Sequence, residues 1–332
     1  MKSLPHQWLK TLLIAFLAAL LFGVFKMWQI KRYLIDTPIQ QKQLLHFPPR
    51  SSAKTLVSIL EDKRLLKNKY ALLAILKFKH VSLYLKSGTY LLEPQDTIWD
   101  VVEKIMRGDV YKVPFKIIEG TRLCELLSRL NTSPDYMFSP AMLDGIANES
   151  KSLEGMLFPS TYLQPYGESV YPILKLAYDT MQKKLSEVWQ TRDYNLPYQT
   201  AYELLTAASI IEKEASDELE RRLISGVIVN RLKFHMPLQM DPTVLYGMGG
   251  CQHILLKGSD LKQDSPYNSY LHRGLPPTPI AMVSMSALLA AAHPASTPYL
   301  YFVAKGDGHH VFSVDYPHQR KAVDCFLRKP HE

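Results

Sequence analysis

Two carboxylates stand two residues apart in the segment Ala208-Ser209-Ile210-Ile211-Glu212-Lys213-Glu214-Ala215. A carboxyl group set among isoleucines and alanines loses hydration, and its pKa climbs from a reference of about 4.3. A glutamate so placed stays protonated near neutral pH and can act as a general acid. Leu204, Leu205, Ala208, Ile211, Ala215 and Leu219 recur at helical spacing, which predicts one amphipathic helix through the segment. At about 100° per residue, Glu212 and Glu214 lie roughly 200° apart around its axis, so one cleft is not expected to take both. Side chains on a helix lean over the preceding turn. Glu214 then covers Ile210 and Ile211, while Glu212 covers Ala208 and Ser209. Glu214 is the candidate acid. The alternative is a surface glutamate paired with Lys213 or Arg221.

Beyond the helix, the run Leu238-Gln239-Met240-Asp241-Pro242-Thr243-Val244-Leu245-Tyr246-Gly247 follows no period and is read as a polar loop. Gln239, Asp241, Thr243 and Tyr246 place polar groups along it. Pro266–Tyr270 and Gly274–Pro279 are loops by composition. The Tyr267 ring can stack on a sugar face, and the Asn268 amide can bond hydroxyl or acetamido groups. His293 has no serine or cysteine nucleophile motif to pair with, and is read as structural. Tandem His309-His310 lack a third ligand at metal-type spacing, so neither metal nor cofactor is expected. Cys124, Cys251 and Cys325 lie far apart, at least one must lack an intramolecular partner, and all three are read as thiols without a role.

These groups must be carried by 332 residues, enough for about two domains with a real core. Leu12–Phe25 is almost wholly apolar, and with Lys10 and Lys26 snorkelling a transmembrane anchor is expected over 11–30, after a cytoplasmic tail at 1–10. No small-residue cleavage site follows the run, so the anchor is expected to be retained. The net charge of +8 comes from the part up to Lys86. No nucleic-acid-reading motif accompanies it, and nearby anionic lipid accounts for it. A linker is expected over 31–47 and a small α+β unit over 48–112. Its helices begin at Ser52, Lys69 and the Thr97 capping box, its strand covers Gly88–Leu92, and it ends after Gly108. A strand over Tyr111–Ile117 and a helix capped by Thr121 lead into a connector that completes 113–152. A larger α+β domain fills 153–328, with a helix over Ser284–Ala292, strands over 299–303 and 309–313, and a last helix closing at Leu327.

The segments ASIIEKEA, NRL, LQMDPTVLYGMG, YNSY, GLPPTPI, AAHPA and YLYFVA occur in this order. They closely resemble the membrane-anchored endolytic murein transglycosylases of the YceG-like family, from the anchor to about Leu327. The resemblance implies a LysM-like fold for 48–112 and a catalytic domain on the outer side of the cytoplasmic membrane. It makes the second glutamate of the EKE triplet, Glu214, catalytic. Gln239, Asp241, Thr243, Tyr246, Tyr267 and Asn268 would hold the sugars, Glu154 would line the cleft, and Glu212, Glu220 and Arg221 would stand behind. Relatives carry an aspartate where this chain has Ser160. The implied reaction cuts the MurNAc–GlcNAc bond within nascent peptidoglycan strands, leaves 1,6-anhydroMurNAc ends and ends polymerisation. Partners would be the glycan, the bilayer and peptidoglycan synthases. A tethered peptidoglycan-binding or synthase-recruiting protein that does not cut is the alternative. A third reading is a hydrolase using water, with Glu154 or Asp241 as the partner acid.

Overall fold

The computed structural model describes residues 6–35, 38–66, 68–146, 152–215, 217–251 and 255–326. The first five residues of the expected cytoplasmic tail and residues 147–151 of the expected connector lie outside them, as does Leu327, where the last helix was expected to close. The chain divides into two units, one reaching to Val113 and including Pro165–Gly167, the other comprising Pro114–Gln164 and Glu168 onward.

In the first unit, α1 (His6–Ile35) contains an apolar stretch, Lys10–Ile30, long enough to cross a membrane. Then follow β1 (Gln43–Phe47), α2 (Ala53–Asp62), α3 (Lys69–Phe78), β2 (Gly88–Leu92) and α4 (Ile98–Arg107). β1 and β2 form an antiparallel pair in which Leu45 faces Tyr90. Both residues join Phe47, Leu56, Leu72 and Val101 in a dry core. The helix starts follow side-chain chemistry: Ser52 caps α2, and Thr97 with Asp100 forms a reciprocal capping box on α4. One expectation fails here. The end of the expected linker is strand β1, whose Leu45 and Phe47 alternate inward over too short a run to stand out in the sequence.

The second unit holds most of β3 (Lys112–Ile117), then α5 (Leu123–Thr132), α6 (Ala141–Asp144), β4 (Ser160–Pro165), α7 (Tyr171–Thr191), α8 (Ala201–Glu214) and α9 (Glu218–Lys233). After these come α10 (Asp241–Gly247), α11 (Met285–Ala292), β5 (Tyr301–Ala304), β6 (His310–Ser313) and α12 (Tyr316–Phe326). β3 pairs with β4, and β5 pairs antiparallel with β6. The α5 start differs from expectation: Arg122, not Thr121, occupies the cap, and the Glu125 carboxylate accepts from its N–H at 3.4 Å.

α8 is the centre of this unit, packed by α7, α9 and α11. Every residue from Leu204 to Ile211 is buried, so the helix is a core helix and not the amphipathic one expected. Nor does it continue to Leu219. The backbone turns extended at Ala215, and Asp217 caps a new helix by accepting from the N–H groups of Leu219 and Glu220. Leu219 is consequently 74 % exposed. The stretch read as a polar loop contains α10, because Pro242 falls in its first turn, where no N–H is needed.

Candidate active site

Glu214 is the last residue of α8, and the break after it is pinned from α9. Arg221 donates through Nε to the Ala215 carbonyl at 3.0 Å and through Nη2 to Glu212 Oε1 at 3.1 Å. Its Nη1 also meets Ser286. The other Glu212 oxygen accepts from the Ser284 N–H at 2.9 Å and from the Ser284 hydroxyl. The Glu212 side chain is only 4 % accessible, and both its oxygens are spent on α9 and on the cap of α11. An ion pair this dry holds only because each partner is fully hydrogen-bonded. Glu212 is a peg.

Glu214, two residues on, is half-buried and has no hydrogen bond from the described residues to stabilise a charge. Burial pushes its carboxyl up to about 8, and the nearby charge of Asp241 adds to the rise. It opens on a cavity of about 660 Å³ walled by Ile117, Glu119, Ser160, Thr161 and Lys213. Glu212 contributes to the same wall, contrary to the expected separation of the two faces, although its carboxylate is turned into Arg221 and Ser284.

α10 links this centre to a second one. At its start, Asp241 accepts a hydrogen bond of 2.6 Å from the Tyr270 hydroxyl. Burial is the main reason that this phenol resists ionisation, followed by Asp241, with Glu214 adding to it. Tyr270 is a site residue that sequence reasoning passed over, although it closes the YNSY segment. Toward the other end of α10 the Tyr246 ring lies 4.8 Å from that of Tyr267. Its hydroxyl donates to Glu154 Oε2 at 3.3 Å, and the Leu123 N–H donates to Oε1 at 2.9 Å. Burial lifts Glu154 to about 7, against the pull of that N–H. Seven helical residues span about 10 Å, so one short helix sets a neighbour at each carboxyl centre, Asp241 near Glu214 and Tyr246 on Glu154.

The remaining expected residues lie beneath these two centres. Thr243 is fully buried, donating to the Met240 carbonyl at 2.6 Å and sharing a hydrogen bond with Ser269. Asn268 is also fully buried. Its amide donates to the carbonyls of Leu261 and Gln263 and accepts from the Tyr270 N–H, fixing the turn that presents Tyr270. Gln239 takes a left-handed conformation, and its side-chain carbonyl accepts from Arg231 at 3.1 Å. Glu220 sits apart, in the first turn of α9, accepting from the His310 N–H at 2.8 Å and from its ring Nδ1 at 2.9 Å. Burial alone would raise Glu220, but these two bonds and the charge of His310 and His309 hold it low. His293 binds Asp193 through Nδ1 at 2.7 Å. No cluster of three or more metal-type ligands occurs among the described residues.

The cysteines correct another expectation. Cys124 at the start of α5 is bonded to Cys251 just beyond α10, and Arg122 donates to the adjacent Gly250 carbonyl at 3.1 Å. Cys325 is exposed and free.

The sequence model of the YceG-like family matches residues 45–325. An endolytic murein transglycosylase of Bacillus subtilis (strain 168) is 31% identical over 322 residues, covering 87% of this chain and 86% of that protein. An endolytic murein transglycosylase of Streptococcus pneumoniae (serotype 2, strain D39) is 39% identical over 157 residues, which is 46% of this chain and 28% of that longer one. The crystal structure of a YceG-like protein from Listeria monocytogenes superposes with a TM-score of 0.51 at 30% identity, covering 85% of this chain and 99% of that one.

Proposed function

The chain belongs to the YceG-like family, and on that premise we propose that it cuts peptidoglycan glycan strands internally, with Glu214 as the group that moves the proton. Glycosidases that use water need two cooperating carboxylates. A transglycosylase needs one, because the sugar's own 6-hydroxyl is the nucleophile. Glu214 protonates the oxygen that leaves the anomeric carbon of MurNAc. The C1–O4 bond breaks, the 6-hydroxyl oxygen bonds to C1, and its proton passes to the Glu214 carboxylate. The acid is regenerated and the new end is a 1,6-anhydro ring. Both reacting atoms belong to one bound sugar, which gives a high effective molarity.

The observation that carries this reading is the contrast inside the EKE triplet. Glu212 is neutralised by Arg221, whereas Glu214 faces the cavity with nothing to hold its charge. Tyr246, Tyr267 and Asp241 supply sugar contacts along α10. Thr243, Asn268, Gln239, Arg221 and Glu220 keep the surrounding backbone in place. Glu154, lifted by burial and bonded to Tyr246, positions that ring. The Lys10–Ile30 stretch of α1 anchors the chain in the cytoplasmic membrane, with the residues after it outside, where nascent strands and their synthases lie. The strand–helix–helix–strand order of β1, α2, α3 and β2 suits the LysM-like reading, and that unit would hold the glycan near the membrane.

The decisive variant is Glu214→Gln, which keeps shape and loses the proton. Formation of new 1,6-anhydro ends in purified sacculi should fall by 10²–10⁴-fold, on the order of a general acid's contribution, with an unchanged near-ultraviolet dichroism spectrum. A folded Glu214→Gln protein that still cuts would remove Glu214 from this role.

A further inference from the structure

Between Asp62 and Glu93 the chain carries no acidic residue. Around the end of α3, Lys77, Lys79 and His80 are all exposed. At the same tip Phe78 is 86 % exposed, Leu83 80 % and Tyr84 58 %. This is not loose chain, because Leu72, Leu76 and Val81 are buried in the core of the first unit. Rigid backbone therefore holds three large apolar side chains in water beside lysines. Basic groups flanking apolar ones are the composition of an interfacial membrane contact.

Acids elsewhere in the unit are paired with other bases: Glu61 with Lys69, Asp96 with Lys104, and Glu103 and Asp109 with Arg107. The tip is also braced toward the anchor. The Lys79 ammonium lies 4.4 Å from the centre of the Trp99 ring on α4, and α1 packs on that same helix, with Ile30 against the shared core.

We propose that this tip is a second membrane contact. Phe78, Leu83 and Tyr84 enter the boundary between head groups and acyl chains of an anionic bilayer, and Lys77 and Lys79 pair with its lipid phosphates. The contact rests on the anchoring role given to α1 and is independent of the glycan chemistry. Each lysine near an anionic surface adds about fivefold in local affinity.

The test uses the full chain in nanodiscs, with the free thiol removed by Cys325→Ser and an environment-sensitive fluorophore placed at Leu83→Cys. Lys54→Cys, at an exposed position on α2, serves as the reference. In discs containing phosphatidylglycerol the label at 83 should shift to the blue and be quenched by doxyl lipid, while the label at 54 stays water-like. Lys77→Gln with Lys79→Gln should lower the equilibrium constant for insertion by about 30-fold, and α1 keeps that variant in the disc. Equal, water-like emission at both positions would overturn the proposal, as would equal insertion into discs of phosphatidylcholine alone. A chain that fails to enter discs at all would overturn the anchor reading and this one with it.

Discussion

At the residue scale, Glu214 pays for its position in stability, and that cost depends on pH. The unfolded chain releases this proton at about 4.3, and the folded chain at about 8. Between those values the folded state holds the extra proton, so stability falls as pH rises through the window and levels off above it. Glu214→Gln should melt higher than the parent at pH 9, by on the order of 1–3 kcal/mol once partial solvent contact is allowed for, and the difference should shrink at pH 5. Cutting needs the protonated form. The rate should be flat below about 8 and lose tenfold per pH unit above it. Asp241→Asn removes a charge that raises Glu214, so its pH–rate profile should fall off at lower pH. A fall-off that stays in place would show that Asp241 does not act on Glu214. Glu212→Gln should behave differently: it strands Arg221, lowers stability by about 3–5 kcal/mol, and keeps turnover within tenfold at temperatures where it is folded. The sequence favours Glu214 over Glu212 as the proposed acid because Glu214 leans over Ile210 and Ile211. It says nothing that prefers Tyr270 to Tyr267 as the partner of Asp241, because that choice is made by the turn Asn268 builds.

At the scale of elements, side-chain chemistry was legible where it is local. The cap at Ser52 and the capping box at Thr97 stand at the expected positions. The break after Glu214 was not, since Ala215 and Leu219 continue the apolar period of α8 in phase, and only the Asp217 cap ends it. α10 was missed because seven residues are too few to show a period, and Pro242 reads as a breaker unless it falls in a first turn. The pairing of Cys124 with Cys251 bridges 127 residues and has no local signature. α9 holds a close approach of the same hidden kind. A Cβ on Gly226 would stand 2.6 Å from the Ala295 carbonyl oxygen and from Thr297 Cγ2. Gly226→Ala should push that segment off the helix, strain the bonds from Asn230 to the Thr297 and Tyr299 carbonyls, and cost about 1–3 kcal/mol. An unchanged urea midpoint would show that the segment yields freely.

At the scale of the molecule, α1 carries a stretch long and apolar enough to cross a membrane, and the second unit sets a glutamate whose carboxyl is raised by burial at an open cavity. The mixed helix-and-strand class follows from the residues alone, and they point to Glu214 as the proposed acid. The layout of the cleft does not, because it depends on contacts between α5, α8 and α10 that are remote in sequence. The central claim is that the sugar's own hydroxyl, and not water, attacks the anomeric carbon. Its most direct test is mass spectrometry of sacculi digested by the full chain in detergent and water enriched in the heavy oxygen isotope. The account predicts new internal ends that are 1,6-anhydro-N-acetylmuramic acid, one water lighter than reducing ends and free of label. Labelled reducing ends would contradict it.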